Sequence, residues 1–341
     1  MISILHLVDD AAMGGVNRTL DDQRILMGDV FRIEQEHVNP RRPWPLRPGE
    51  DVVVVHFTSS WAKLPFLTLL RAQRGDKPIV LVEHTYTRCF ETNCVTNHKR
   101  FRRMLSLTYR LADVVVAVSD GQADWMREAK LLPDEKLVVI RPAVDLAKFF
   151  AAEVASRSDG GPLRLGAYGR YCEQKAFEVL ISAMRLLPAD RFTLSLAGYG
   201  ADRAMLEQRA EGMTNVRIAG PTTNPSKFVE GCDVIVIPSR WEAFGNVAAE
   251  ARAAGRPVIA CAVDGLSEQI SPDYGWLVPA EDPEALADAI KCAADQDVGR
   301  MGRAARLSAR GHTTDYLRKW TTLLNGLSAP LELAQRRAKA A

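Results

Sequence analysis

The sequence predicts an α/β protein made of two successive parallel β-sheets, each covered by helices on both faces. Three features carry that prediction. Short continuous apolar runs rich in β-branched residues alternate with amphipathic segments along nearly the whole chain, as expected of strands buried on both faces. The alternation stops once, at the small, polar and glycine-rich segment FFAAEVASRSDGGP (149–162), and then restarts, which reads as a linker. Finally, 341 residues are long for a single hydrophobic core, so two domains are expected.

In the first half, ISILHLV (2–8), DVVVVHF (51–57), PIVLVEH (78–84), ADVVVAVS (112–119) and KLVVIRP (136–142) read as strands. Helical patterns lie between them near 16–27, 60–73, 97–111 and 120–130. After the linker, LRLGAYG (163–169), RFTLSLAG (191–198), NVRIAG (215–220), DVIVIPS (233–239) and RPVIACAV (256–263) read as strands, each followed by a helix or turn. A helix is expected from about Gly245 to Ala254, stopped by Gly255, Arg256 and Pro257. The segment HTTDYLRKWTTLLNGL (312–327) is helical by its apolar residues at 316, 317, 320, 323 and 324.

Composition narrows the function classes. With 47% hydrophobic and 25% charged residues and a net charge of +2, this is an ordinary globular chain that gives no reason to expect a nucleic-acid partner. The six cysteines, at 89, 94, 172, 232, 261 and 292, form no CxxC pair and no zinc-type cluster. They read as reduced, mostly buried thiols, and no metal is expected. No apolar run approaches the roughly 18–20 residues of a membrane span. The opening MISILHLVDDAAMGG reads as a first strand and not a signal peptide, so a cytoplasmic location is expected.

In open parallel sheets, ligands bind beyond the carboxyl ends of the strands, so the residues that follow strands matter most. After DVIVIPS comes WEAFGNVAAEARAAGRPVIA, which holds Glu242 and Glu250 on either side of a Phe244-Gly245-Asn246 turn. Eight helical positions span about 12 Å, comparable to a sugar and a ribose joined through two phosphates. A helix N-terminus between the acids offers unpaired N–H groups to anions or sugar oxygens. Carboxylates accept from paired hydroxyls. After LRLGAYG, Gly169 and Arg170 precede Lys175, which opens an amphipathic helix. Two cations beside a glycine at such a junction suit a diphosphate. Either constellation alone could equally be a solvated surface; together, at equivalent strand ends, they point to a donor site.

These residues bring the chain to a known family. GRYCEQKAFEVLISAM, LSLAGYGADRAMLE, NVRIAGPT, PSRWEAFGNVAAEARAAGRPVIA, DGLSEQI and YGWLVPAEDPEALADAI run in order through 160–295. With ADVVVAVSD in the first half, they resemble the retaining glycosyltransferases of family 4, which have the GT-B fold. The first half matches more loosely, through GGVNRTL and VEHTY. The resemblance implies two facing Rossmann-like domains with a cleft between them. The expected boundaries are 1–148 for an acceptor-side domain, 149–162 for the linker and 163–312 for a nucleotide-sugar domain. A helix at 313–330 would cross back to the first domain, and 331–341 would be a basic tail.

By the same resemblance, Arg170 and Lys175 hold the donor pyrophosphate and stabilise the leaving nucleoside diphosphate. Glu242 contacts the transferred sugar, and the amides of Gly245, Asn246 and Val247, following Phe244, meet the sugar or phosphate. Glu250 binds the ribose. Gly169 lies in the phosphate loop, while Gly198, Gly220 and Pro221 flank the base pocket. Gly14 and Gly15 form a loop close to the phosphates, and His84 faces the sugar. The implied chemistry is transfer with retained configuration from a UDP- or GDP-sugar, without an obligatory metal or cofactor. The acceptor would be a glycan or lipid-linked intermediate of surface polysaccharide, exopolysaccharide or lipopolysaccharide synthesis.

Several features stand apart. IRPAVD places Pro142 and Ala143 where the family often has Asn-Gly. Asp295-Gln296-Asp297 matches a DxD metal motif formally but falls at a helix–helix junction and reads as structural. GYGADR lacks the third glycine of a dinucleotide fingerprint. The segment 97–110 carries Lys99, Arg100, Arg102, Arg103 and Arg110 among apolar residues and no acid. Its two readings are a solvated helix face and a peripheral contact with an anionic inner-leaflet surface. Two competing functions remain at this level: a non-catalytic homologue acting as a partner subunit, and a sugar-nucleotide 2-epimerase on a similar fold.

Overall fold

The computed structural model describes residues 1–9, 14–42, 49–142, 144–156 and 160–340, with the backbone alone at 14–16, 18 and 329–340. It divides into two units, Met1–Val144 together with the chain from His312 onward, and Asp145–Gly311. The first unit runs β1 (Ser3–Val8), α1 (Gly14–Met27), β2 (Arg32–His37), β3 (Val52–Val55), α2 (Leu64–Arg74), β4 (Ile79–Glu83), α3 (Arg88–Cys94), α4 (His98–Arg110), β5 (Val114–Ala117), α5 (Asp120–Glu128) and β6 (Leu137–Val139). The second runs α6 (Ala147–Phe150), β7 (Leu163–Arg170), α7 (Phe177–Arg185), β8 (Phe192–Tyr199), α8 (Arg203–Arg209), β9 (Val216–Ala219), α9 (Pro225–Glu230), β10 (Val234–Ile237), α10 (Asn246–Ala253), β11 (Val258–Cys261), α11 (Asp264–Ser267), β12 (Gly275–Val278), α12 (Pro283–Ala294) and α13 (Val298–Ala309). The last helix, α14 (His312–Ala340), belongs to the first unit.

Each unit holds one six-stranded sheet, in the order β2-β1-β3-β4-β5-β6 and β12-β11-β10-β7-β8-β9. Every recorded pairing is parallel. The central strands are the apolar runs: Val52 to Val55 are each 0% exposed, and β5 and β10 are buried throughout. β-branched side chains fit a pleated surface packed on both faces. Several helix starts follow side-chain caps. Thr87, Asn97, Ser119, Asn224 and Asp282 each accept from a backbone N–H of the first turn they precede. Asp297 does the same for α13, which accounts for the Asp295-Gln296-Asp297 stretch as a helix start. Among the described residues no cluster suited to a metal ion occurs.

The structure departs from the sequence reading in identifiable places. β2 and β12 were not expected; both are edge strands, and β2 (RIEQEH) has no buried residue. An edge strand pairs on one side only and does not need an apolar run. The proposed linker 149–162 is displaced, since the unit boundary falls after Val144 and α6 occupies its start. The following residues are fastened to the second unit. Arg256 donates to the carbonyls of Glu153, Glu230, Cys232 and Ala254, and Arg306 donates to that of Ala152. Ala143 and residues 157–159 of the linker lie outside the described residues.

The cysteines form no disulfide, but only Cys232 and Cys261 are buried; Cys94 and Cys292 are exposed. The thiols are therefore not mostly buried, because Cys94 and Cys292 fall on the outer faces of surface helices. The basic tail 331–341 does not start as a separate segment, since the α14 backbone continues to Ala340. His312 Nε2 meets the Pro142 carbonyl at 2.9 Å, fastening the start of α14 to the end of the first unit's strand region. Tyr316, Trp320 and Leu324 are the buried stripe of α14. No helix among the described residues is long and apolar enough to cross a membrane.

Arg256 is 3% exposed and satisfies four carbonyls, so Arg256→Met would leave buried acceptors unpaired at about 1–3 kcal/mol each. The expected outcome is a loss of stability in the second unit of at least about 3 kcal/mol. Hydrogen exchange would show lost protection at 152–155, with the first unit's β3 to β5 unchanged.

Candidate functional site

The second unit concentrates its chemistry at the carboxyl ends of β7 and β10, adjacent strands in the sheet. Gly169 and Arg170 are the last residues of β7, not part of a following loop. Lys175 closes a single 3-10 turn, Glu173–Lys175, and does not open the helix. Ala176 then takes the left-handed conformation (φ 47°, ψ 38°), and α7 starts only at Phe177. That break in helical geometry turns the Lys175 side chain aside, where its Nζ meets Glu242 Oε2 at 2.5 Å. The two side chains are 16% and 13% exposed.

The Glu242 carboxylate is held by more than the lysine. Ser239 donates to Oε2 at 3.2 Å, the Glu242 N–H donates to Asp264 Oδ2 at 3.2 Å, and its carbonyl accepts from Gly265 N at 3.0 Å. The two loops are stitched together by main chain as well. Arg240 N donates to the Gln174 carbonyl at 2.9 Å, and Gln174 Nε2 donates to the Trp241 carbonyl at 3.0 Å. The Arg240 guanidinium donates to the Glu173 carbonyl, Glu178 and Glu281. Arg170 is exposed, and among the described residues its one recorded side-chain contact is with Gln174 at 3.5 Å. Its charge is therefore not consumed by a protein carboxylate.

Between Glu242 and Glu250 lies the start of α10. Gly245 is its N-cap at φ 91°, a conformation that favours glycine. A Cβ there would meet Leu266 Cδ2 at 2.5 Å. Asn246 and Val247 form the first turn, whose N–H groups have no acceptor within the helix. Gln269 Nε2 donates to the carbonyls of Phe244 and, at 3.3 Å, Gly245, and Arg252 holds Gln269 Oε1 at 3.0 Å. The Phe244 side chain is buried, so its contribution to the turn is through the backbone. Glu250 is 3% exposed and accepts from the Tyr168 hydroxyl of β7.

Sequence reasoning missed these supports, namely Tyr168, Gln174, Ser239, Arg252, Asp264 and Gln269. Asp264 and Gln269 do fall within DGLSEQI, which is the only signal of them. The glycines assigned to the base pocket divide into two kinds. A Cβ on Gly198 would lie 1.9 Å from the Gly169 carbonyl oxygen, so this glycine lets β7 and β8 approach. A Cβ on Gly220 would meet nothing within 4 Å. Pro221 is exposed beside it.

In the first unit, Gly14 and Gly15 open α1, and the preceding residues 10–13 lie outside the described residues. His84 follows β4 and is half-buried, with Nε2 2.9 Å from His56 Nδ1. Burial pushes its pKa down to about 4, so the ring is neutral near pH 7. Glu83, the residue before it, is buried, and burial raises its pKa despite donation from Thr85, Tyr86 and Tyr109.

The basic stretch on α4 is not uniform. Arg102 is engaged with Glu91 through two bonds of 2.7 and 3.1 Å, and Trp125 Nε1 donates to the same carboxylate at 2.8 Å. This knot on the buried Glu91 carboxylate joins α3, α4 and α5; the Arg102 side chain stays 46% exposed, but its charge is paired with Glu91. Lys99, Arg100 and Arg103 are exposed, with Arg100 5.9 Å over the ring of Trp61.

Comparison with known proteins adds the relatives. The model of Glycosyl transferases group 1 matches residues 162–296, and that of Glycosyltransferase Family 4 matches 38–148. The chain is 31% identical over 303 residues to a phosphatidyl-myo-inositol mannosyltransferase of Mycolicibacterium smegmatis, covering 85% of this chain and 74% of that protein. It is 31% identical over 217 residues to a D-inositol 3-phosphate glycosyltransferase of Corynebacterium urealyticum, covering 57% of this chain and 51% of that one. The chain thus spans about half of the second relative's length. Among solved structures, Anabaena HepE in complex with UDP and glucose superposes with a TM-score of 0.77 at 18% identity, over 95% of this chain and 99% of that one. Sucrose-phosphate synthase from Thermosynechococcus elongatus superposes with a TM-score of 0.71 at 18% identity, covering 100% of both.

The two glycines give a paired test. Gly198→Ala is expected to cost about 1–3 kcal/mol of stability through overpacking, whereas Gly220→Ala stays within about 0.5 kcal/mol. Denaturant midpoints of both variants measure the difference.

Proposed function

This chain belongs to glycosyltransferase family 4 and has the GT-B fold, and from that premise we propose that it moves a sugar, with retained anomeric configuration, from a UDP- or GDP-sugar to a glycan or lipid-linked acceptor. The observation that carries the reading is the Lys175–Glu242 pair beside the α10 N-terminus, with the uncommitted Arg170 guanidinium at the end of β7. Support for a nucleotide-sugar donor comes from the fold neighbour whose structure contains UDP and glucose. Relatives named for mannosyl transfer to phosphatidyl-myo-inositol and for colanic acid biosynthesis favour a surface glycan or glycolipid as product.

In this reading Arg170 and Lys175 neutralise the diphosphate, and the amides of Gly245, Asn246 and Val247 meet its oxygens or those of the sugar. Glu242, held by Lys175 and Ser239, accepts from sugar hydroxyls. Glu250, oriented by Tyr168, accepts from the ribose. His84 donates to the sugar, and Gly14, Gly15, Gly169, Gly220 and Pro221 shape the donor's surroundings. The bond from the anomeric carbon to the phosphate oxygen breaks as the acceptor oxygen bonds to that carbon on the same face. The acceptor proton passes to the departing phosphate oxygen. Two side-chain cations and a helix N-terminus supply the charge stabilisation, so transfer needs no metal and survives chelation by EDTA. The reading also includes a peripheral contact of Lys99, Arg100 and Arg103 with an anionic membrane surface.

A calorimetric screen of UDP-, GDP- and ADP-sugars tests the donor site. One of them is expected to bind, and Lys175→Ala to weaken it about 10- to 100-fold, the loss of one charge-assisted contact. Glu242→Ala is expected to cut kcat by about two orders of magnitude, whereas Glu250→Ala chiefly raises the donor KM. Binding of none of these nucleotide sugars would overturn the reading. For the membrane contact, co-sedimentation with anionic liposomes should fall when Lys99, Arg100 and Arg103 are changed to Gln. Unchanged sedimentation would remove that part of it.

A further inference from the structure

Three imidazoles form a row across neighbouring strands of the first unit's sheet. His6 lies within β1, His56 follows β3 and His84 follows β4, and β1, β3 and β4 are consecutive in the sheet. His6 Nδ1 is 2.7 Å from His56 Nε2, and His56 Nδ1 is 2.9 Å from His84 Nε2. The ring centroids are 5.0 and 5.3 Å apart with interplanar angles of 30° and 25°. Each centroid separation is close to the N···N distance plus two ring radii, as it must be when the bonds lie in the ring planes. These are hydrogen bonds end to end, not face-to-face stacks.

His6 and His56 are 1% and 4% exposed. Burial pushes His6 down to about 3, with the positive charge of Arg24 adding to the effect. His56 is also well below its ordinary value, first through burial and then through its two histidine neighbours. Three neutral rings carry three N–H protons, and the two bonds of the row take two of them. The third sits at one end, on His6 Nε2 or on His84 Nδ1. His6 Nε2 is buried without a hydrogen-bond partner among the described residues, whereas His84 is half-buried and open to water or substrate.

An N–H buried without an acceptor loses its hydration and gains nothing in return. The Arg24 charge also favours moving the proton away from the His6 end. Both effects put Nδ1–H on all three rings, although a free imidazole in water prefers Nε2–H.

We propose that His6 and His56 are positioning residues that hold His84 as the neutral Nδ1–H tautomer, so that the first unit presents a fixed N–H donor beyond the end of β4. The tautomer assignment stands on the geometry of the row. Its use toward a sugar hydroxyl rests on the glycosyltransferase reading above. A group so held can donate a hydrogen bond but cannot pass a proton inward, because the buried end of the row has no acceptor.

Long-range 1H–15N NMR of the full chain, with histidine labelled, reads the tautomers directly. The expected spectrum shows Nδ1–H on His6, His56 and His84, unchanged as pH falls from about 8 to 5, across the range in which free histidine protonates. His56→Phe, which breaks the row in the middle, should return His84 toward Nε2–H. A wild-type His84 with Nε2–H or averaged tautomers would overturn the assignment, as would an unchanged His84 in the folded variant. The wild-type spectrum decides the matter if the variant does not fold. UDP and GDP binding to the same samples reports the donor site separately: an Nδ1–H row in a chain that binds neither would support the tautomer assignment while removing the donor reading.

Discussion

The Lys175 to Glu242 bond is the contact around which the second unit's candidate site is arranged. Bringing an ammonium and a carboxylate to this degree of burial costs solvation that their attraction only partly returns. Here the carboxylate has a second donor in Ser239, and Asp264 and Gly265 fix the Glu242 backbone so that its side chain is aimed at the lysine. The left-handed Ala176 is the local cost of turning Lys175 toward its partner. The stitches from Arg240 and Gln174 hold the two loops in register so that the pair meets. An anionic ligand at this point would compete for the lysine, which ties occupancy of the site to the state of the ion pair.

The two units carry different sets of polar groups near their strand ends. In the second, ions are paired and one guanidinium is left uncommitted beside a helix N-terminus. In the first, neutral rings form a row from His6 within β1 to His56 and His84 after β3 and β4, with Glu83 buried beside them and satisfied by two backbone N–H groups and a tyrosine hydroxyl; an ion pair of Asp9 with Lys63 also follows β1. Neutral donors orient a polar, uncharged group without adding to its charge. The paired and free cations of the second unit suit a diphosphate.

Knots of buried polar groups also explain why some suggestive surface residues are structural. Arg102 appears in sequence as one of a run of cations, yet Glu91 takes it, and Trp125 shares the same carboxylate. Burial alone would raise the Glu91 pKa, but the bonds from Arg102, Trp125 and His98 outweigh it and leave the carboxyl below its usual range. Arg256 is likewise spent on four carbonyls, and this fixes the chain after the first unit onto the second. Neither engagement has a sequence pattern, because Glu91 is 11 residues from Arg102 and three of the four Arg256 partners are 24 to 103 residues away.

By itself the sequence determined the two-sheet architecture, the central strands and the α10 turn, and it placed Arg170, Lys175, Glu242 and Glu250 at or after the ends of β7 and β10. These are carried by continuous apolar runs and by residues at strand ends, both of which are local in the chain. The edge strand β2 was not legible, since one-sided pairing lets polar residues stand where a buried strand needs apolar ones, and β12 was not because its apolar run is only four residues, GWLV. Tertiary structure alone decided that Lys175 would pair with Glu242 across 67 residues, that Gln269 would clamp the turn before α10, and that His6, His56 and His84 would meet end to end. Those contacts depend on which strands are neighbours in the sheet and on the direction each side chain takes when packed, and neither is written in local periodicity.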